Sequence, residues 1–386
     1  MPEPSSAPAL SRPLLSHGAI LGTGADAAVP AHYGELLREQ RRLLLGRAVV
    51  DLGQLEILEV SGADALSWLT TITSQVLTGH EVGTSLSLAV LTPQGRVEHL
   101  AAAALHAPDS VLLITDPGRR AGLRRYLEMM RFAARVEIAD RDDLRALGGV
   151  RPAAEIPALA ERGLPAPVAV WTDPWPQVAA GHVAYGPDPE DLAGWVLTIL
   201  PAAPLAAMAW TTELLAGMHA AEALRIADHR PRLITEVDER SIPHELDLLR
   251  TAVHTDKGCY RGQETVAKVL NLGQPPRRLV MLHLDGSQDV PAHAGGPVHL
   301  GGPDGRQVGT VTTAAIHTDL GPIALAVVRR AVPVDAVLSV GVVLEDDREG
   351  TPRPEDAPAP QLWLDATQEP IVLERIHAAR PRTARL

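Results

Sequence analysis

The segment Asp256-Lys257-Gly258-Cys259-Tyr260-Arg261-Gly262-Gln263-Glu264-Thr265 holds the chain's single cysteine and one of its two lysines. A thiol reacts as its thiolate, and a neighbouring cation lowers its pKa from about 8.5. Lys257 lies two residues before Cys259 and Arg261 two after. In an extended segment all three side chains leave one face, which would give the cysteine an electropositive setting. Gly258 and Gly262 let the backbone bend close to a ligand. Glu264, Thr265 and Val266 can open a helix whose N-terminus adds positive potential. Read locally, the same residues also suit an inert, buried cysteine in a glycine-bracketed turn.

The rarest residues gather here. Lys257 and Lys268 stand against 33 arginines, and the one asparagine is Asn271. A compact ammonium whose pKa can shift is a different tool from a guanidinium that stays charged. One cysteine excludes a disulfide framework and a multi-thiolate zinc or iron–sulfur site built by this chain alone, and no metal site is expected.

These residues need a scaffold, and composition bounds it. With 386 residues, 46% hydrophobic and 21% charged, the chain can bury two or three domain cores. The net charge of −12 argues against a general polyanion binder, so no stable nucleic-acid binding is expected. No signal-peptide pattern is visible, and the uncharged run 193–210 is broken by Pro201 and Pro204. The expectation is a cytoplasmic protein without a membrane span.

Residues 1–29 are expected to be disordered. Residues 30–150 read as the first part of an α+β domain. Strands are expected at 49–52 and 57–60, followed by a helix to Ile72. A hairpin follows at 86–91 and 97–105 around Pro93-Gln94-Gly95, then a strand at 111–115, a helix over 117–130 and a strand at 134–138. Residues 151–190 read as a loop-rich insertion carrying Trp171 and Trp175. Residues 191–275 continue the domain, with a strand at 194–200, a helix from Thr211 or Thr212 to Ile226, and the cysteine motif. Short Val/Leu runs between Gly- and Pro-rich turns make 276–345 a small C-terminal β-barrel. Residues 346–386 read as a linker and tail with one apolar patch at Leu362–Leu364.

Lys-Gly-Cys-Tyr-x-Gly-Gln-Glu at 257–264 resembles the signature of the folate-binding YgfZ family, related to the aminomethyltransferase (T-protein) of the glycine cleavage system. Upstream, Glu222-Ala-Leu-Arg-Ile226, Arg230-Pro-Arg232, Glu236-Val-Asp238 and Ser241-Ile-Pro-His-Glu-Leu246 follow that family's order and spacing. The resemblance covers roughly residues 30–345. It implies an α+β aminomethyltransferase-like fold with a folate-binding cavity and a C-terminal β-barrel. It implies a role in making or repairing iron–sulfur enzymes, with tetrahydrofolate as ligand and iron–sulfur client or assembly proteins as partners. Cys259 and Lys257 look like its functional pair.

Two alternatives stay open: a tetrahydrofolate-dependent aminomethyl or methyl transferase, and a tRNA-modification factor. Three departures bear on the choice. Adjacent aspartates of the aminomethyltransferases become Glu98-His99, and the loss of that pair weighs against conventional turnover. Arg-Ile-Glu-Ala-Gly becomes Arg225-Ile-Ala-Asp-His229. Asn-Asp after the first helix becomes Ser74-Gln75. A pterin needs a carboxylate or amide for its amino-pyrimidine edge and apolar walls to stack on. Glu236, Asp238 and Glu245 are the candidate carboxylates, Arg225 the candidate for a folate's glutamate tail, and Tyr260 a candidate stacking ring. Each also suits an ordinary structural ion pair or packing contact.

Overall fold

The computed structural model describes residues 18–186, 192–272, 274–288, 290–343, 361–373 and 382–383. It opens with a ribbon of β1 (Ile20–Leu21) and β2 (Pro30–His32), then α1 (Leu36–Leu44), β3 (Val49–Asp51), β4 (Glu56–Ser61) and α2 (Ala65–Ile72). The hairpin β5 (Ser85–Leu91) and β6 (Val97–Ala107) leads to β7 (Ser110–Thr115), α3 (Arg120–Met129), β8 (Glu137–Asp140) and β9 (Leu144–Gly149). Next come α4 (Pro157–Ala160), β10 (Ala169–Thr172), β11 (Val183–Ala184), β12 (Val196–Pro201), α5 (Ala202–Ala206) and β13 (Leu215–Ala216). Helices α6 (Met218–Ala227), α7 (Leu233–Glu236) and α8 (Gln263–Leu272) precede the last sheet. That sheet is built from β14 (Arg277–Leu284), β15 (Pro297–Leu300), β16 (Arg306–His317), β17 (Gly321–Arg329), β18 (Leu338–Val343) and β19 (Gln361–Pro370); β20 (Arg382–Thr383) pairs with β11.

Two five-stranded sheets, ordered β5-β6-β7-β4-β8 and β10-β12-β9-β3-β13, carry the first two thirds of the fold. Their alternating residues separate the layers, because successive side chains on a strand leave opposite faces. Val50, Ala146, Leu197 and Ile199 of one sheet meet Ile57, Ala104, Leu112 and Ile114 of the other in a shared core with α6. Leu58, Val60, Ala103, Leu113 and Val111 face the other way, onto α2 and α3. Val49, Leu147, Leu200 and Leu215 face α4 and α5. The layers therefore run helix, sheet, sheet, helix, an α+β arrangement held by burial of apolar faces.

The third sheet is a closed six-stranded barrel in the order β14-β17-β16-β15-β18-β19. Closure leaves no unpaired strand edge. The sequence suggests five strands; the sixth, β19, comes from the expected tail and buries Leu364. The linker expected between β18 and β19 lies outside the described residues, as do residues 1–17.

Other expectations shift. Residues 18–29 are not disordered: the Asp26 carboxylate accepts from Arg232 at 3.1 Å and from Gln54 at 3.0 Å, which ties the ribbon down. The helix expected over 117–130 starts at Arg120, because Gly118 sits at φ +75° in a turn. The helix expected from Thr211 or Thr212 starts only at Met218, because Leu215–Ala216 is drawn into parallel pairing with Val49–Val50. Segment 151–190 supplies a sheet strand, β10, rather than loops alone.

Candidate functional site

Helix α8 begins at Gln263, and the loop before it is a run of bends, not the extended strand that would place three side chains on one face. Each cation beside Cys259 is committed elsewhere. The Lys257 Nζ donates to the carbonyl oxygens of Thr70 and Thr73, at the C-terminal end of α2. Helix C-termini carry unsatisfied carbonyls and partial negative charge, so an ammonium is well placed there. The same group lies 5.0 Å from the centre of the Tyr260 ring. Burial pulls the Lys257 pKa from 10.5 down to about 8. Arg261 pairs with Glu98 at 3.0 Å and lies over the Tyr126 ring. Cys259 itself is exposed.

The other motif residues hold the loop. Gln263 Nε2 donates to the Lys257 carbonyl at 3.2 Å. Tyr260 packs against the core between the cysteine loop and the barrel, and burial raises its phenol. Glu264 is exposed in the first turn of α8. Gly262 adopts φ +82°, whereas Gly258 has open space where a Cβ would stand. Of the two glycines only Gly262 is required by the backbone.

Ser74 and Gln75 stitch residues 251–254 to the first sheet. Ser74 Oγ donates to the Ala252 carbonyl at 2.6 Å, and Gln75 Nε2 to the carbonyls of Ser87 and Thr251 at 2.8 Å. Gln75 Nε2 also lies 3.1 Å from His182 Nε2. Just beyond that seam, Thr251 and Ala252 line the wall of a central cavity of about 220 Å³.

Trp171, Trp175 and Trp195 line this cavity beside Leu100, Ile114 and Met218. The indole N–H of Trp171 donates to the Leu86 carbonyl at 2.7 Å, and that of Trp175 to the Asp228 carbonyl at 3.0 Å. Their polar atoms are spent, and apolar surface is left for a ligand. At one end stand three arginines and their carboxylates. Arg230 reaches Asp173 at 3.2 Å, and its guanidinium carbon lies 5.3 Å from the Trp195 ring centre. Arg232 binds Asp26, Asp116 and Glu222. Burial alone would raise the Glu222 carboxyl, but Arg225 and Arg232 outweigh it and hold it at about 2. Burial raises Asp173 against the pull of Arg230.

The expected ligand contacts distribute unevenly. Arg225 lines the cavity, but Nε bonds Glu222, Nη1 bonds Glu236 and the Arg230 carbonyl, and Nη2 bonds Glu222 and Thr313. A guanidinium has five N–H groups, so no fork is left for a glutamate tail. Glu236 is buried behind Arg225, with Thr312 at 2.8 Å and Thr313 at 2.6 Å on its other oxygen. Asp238 and Glu245 do not line the cavity; both are bound by Arg277, at 2.6 Å and 2.7 Å. His99 is buried, which lowers its pKa and keeps it neutral rather than protonated.

Sequence reasoning did not single out Gln54, Asp116, Asp173 or Glu222 as ligand contacts, nor the tryptophan walls. One signal was available: Trp171, Trp175 and Trp195 fall within 25 residues of a chain with only 3% aromatics. Two cavity groups lack partners among the described residues, the Gln54 Oε1 acceptor and the Arg230 Nε donor.

No family model matches the chain. A chloroplastic protein of Arabidopsis thaliana, provisionally named a transferase, is 29% identical over 116 residues, 29% of this chain. The matched chain spans only 22% of that relative's length. Among solved structures, the glycine cleavage system aminomethyltransferase T from Bartonella henselae superposes with a TM-score of 0.69 at 18% identity, over 96% of this chain and 99% of that one. The heterotetrameric sarcosine oxidase from Corynebacterium sp. U-96 gives a TM-score of 0.22 at 13% identity, over 43% of this chain and 84% of that one, and carries no argument. Among the described residues no helix is long and apolar enough to cross a membrane. The chain has the fold of the glycine-cleavage aminomethyltransferase T, completed by a closed six-stranded barrel.

Proposed function

We propose that the central cavity binds the ring system of a reduced folate, and that the protein acts as a folate-binding accessory factor in iron–sulfur cluster assembly or repair through the Lys257–Cys259 loop. The observation that carries the folate part is the pairing of indole walls with an unpartnered acceptor and donor, Gln54 Oε1 and Arg230 Nε, in one cavity. An amino-pyrimidine edge offers the matching donors and acceptors, and a fused ring suits flat apolar walls. At about 220 Å³ the cavity is smaller than the roughly 300–1,000 Å³ of pockets that enclose whole drug-sized ligands. It therefore suits the ring and leaves a glutamate tail outside, consistent with an Arg225 already saturated.

In this reading each group has a defined task. Trp171 and Trp175 flank the ring and exclude water. Gln54 accepts from its amino group, and Arg230 donates to a ring acceptor. Asp173 holds Arg230 in place through its Oδ2 at 3.2 Å, while its Oδ1 accepts from the Trp175 backbone N–H at 2.9 Å. Seam residues 251–254 connect the cavity to the loop that presents the exposed Cys259 thiol. A single thiolate can attack or exchange but cannot cage a cluster alone.

Titration with tetrahydrofolate, followed by quenching of tryptophan fluorescence, tests the ligand. Gln54→Leu and Trp171→Ala should each weaken binding about tenfold, and Cys259→Ala should leave it unchanged. Absence of quenching at millimolar tetrahydrofolate would overturn the ligand assignment. The accessory role is tested by the activity of a [4Fe–4S] enzyme in cells lacking this protein, complemented with wild type or Cys259→Ala. Restoration by wild type alone supports it; an unaffected enzyme on deletion refutes it. The transferase alternative draws on the transferase names of the Arabidopsis and Bartonella proteins. Turnover of a folate one-carbon donor would decide in its favour.

A further inference from the structure

A second groove, of about 700 Å³, lies apart from the central cavity, between the 234–240 segment and strands β14, β16 and β17. Arg240, Arg277 and Arg329 line it. Arg277 on β14 stands directly opposite Arg329 on β17 in the antiparallel register. Directly opposed residues project from the same face, and like charges placed so destabilise a sheet. Arg277 is neutralised: it bonds both Asp238 oxygens, at 2.6 and 2.9 Å, and both Glu245 oxygens, at 3.1 and 2.7 Å. Glu236, the other acid of the groove, is likewise taken up by Arg225 and Thr312. Arg240 and Arg329 are exposed, and neither has a hydrogen-bonded or ion-paired side-chain partner among the described residues. The groove thus carries two guanidinium groups without a direct partner among the described residues, beside an Asp238–Glu245–Arg277 cluster with one carboxylate charge to spare, next to a floor of Val327 and Thr310, which face each other across β17 and β16.

We propose that this groove binds a small molecule bearing an oxyanion, a carboxylate or a phosphate, between the guanidinium groups of Arg240 and Arg329. Guanidinium presents paired donors that match either oxyanion in a two-bond fork. Val327 and Val237 provide apolar surface for the rest of a ligand, and the hydroxyls of Thr235 and Thr310 additional polar contacts. This site is independent of the folate assignment, because no lining residue of the groove lines the central cavity.

Thermal unfolding of the full chain at constant ionic strength tests the site, with inorganic phosphate, citrate and sodium chloride as parallel arms. A rise in the midpoint with phosphate or citrate, beyond that with chloride, is expected. A response to phosphate alone assigns a phosphate ligand, and a response to citrate alone a carboxylate. Arg240→Ala and Arg329→Ala should each weaken the response at least tenfold in anion concentration, while Arg131→Ala, an exposed arginine elsewhere, should keep it. Without anion, Arg329→Ala should leave the midpoint close to the wild-type value, since the side chain is exposed and has no direct partner to lose among the described residues. The proposal is overturned if neither anion exceeds chloride, if the Arg240→Ala/Arg329→Ala double variant responds like wild type, or if Arg329→Ala alone lowers the midpoint.

Discussion

Gly95 and Gly262 stand backbone to backbone: a Cβ built on Gly262 would lie 2.9 Å from the Gly95 Cα and 2.5 Å from the Thr92 carbonyl oxygen. A Cβ on Gly95 would come 2.6 Å from that of Thr265. The hairpin turn of the first sheet therefore fixes the loop that carries Cys259 by direct contact. Gly262→Ala should destabilise the protein by at least about 2 kcal/mol, combining a left-handed backbone with overlap against backbone atoms. Gly118→Ala is the control, since it shares a positive φ but has open space around the new methyl. It should cost about half as much. Denaturant midpoints read both, and equal losses would show that the contact contributes nothing.

Lys257 should titrate near 8 in the folded protein. Burial disfavours its charged form, so the folded state holds this proton less tightly than the unfolded chain does. The burial penalty is present in full below pH 8 and is relieved as pH rises from 8 toward 10.5. With two lysines in the chain, amine acylation followed by peptide mapping reads Lys257 separately from Lys268. A midpoint near 10.4, the value of a free lysine, would contradict this burial.

The largest histidine contributions to acid sensitivity should come from His182 and His244. His182 and His244 are buried, and burial lowers each to about 4. His182 Nδ1 lies 2.9 Å from the Ala180 carbonyl, and its Nε2 lies 3.1 Å from Gln75 Nε2. As pH falls below about 6.5 the unfolded chain gains protons that the folded chain refuses, so stability is present above 6.5 and drains away down to 4. The limiting loss is on the order of 3 kcal/mol per histidine. Denaturant unfolding at a series of pH values checks this, and His182→Gln should flatten the slope measurably. An unchanged slope in that variant would sink the assignment to His182.

The sequence made some of this legible because local chemistry decided it. Pro93-Gln94-Gly95 between two apolar alternations could hardly be other than a hairpin, and the Val/Leu runs after Arg278 marked the barrel. The cysteine motif announced itself through rare residues. What stayed hidden depended on distant partners. Glu236, Asp238 and Glu245 are equally acidic as letters, yet Arg225 holds one behind the cavity wall, and Arg277 draws the other two to the barrel. Lys257 sits two residues from Cys259 in sequence, but its ammonium belongs to α2. Strand β13 is only two residues long and exists because β3 lies parallel beside it.

The barrel's closing strand has a consequence for how the chain is made. β19 pairs with β14 on one side and β18 on the other. A nascent chain that has emerged only to residue 343 has five barrel strands and two bare edges. Such edges are templates for pairing with other chains. Synthesis runs at about 5–20 residues per second, so this vulnerable interval lasts seconds on each ribosome. A polysome holding several such chains side by side would favour cross-pairing between neighbours, and a stop codon before residue 361 would make that exposure permanent.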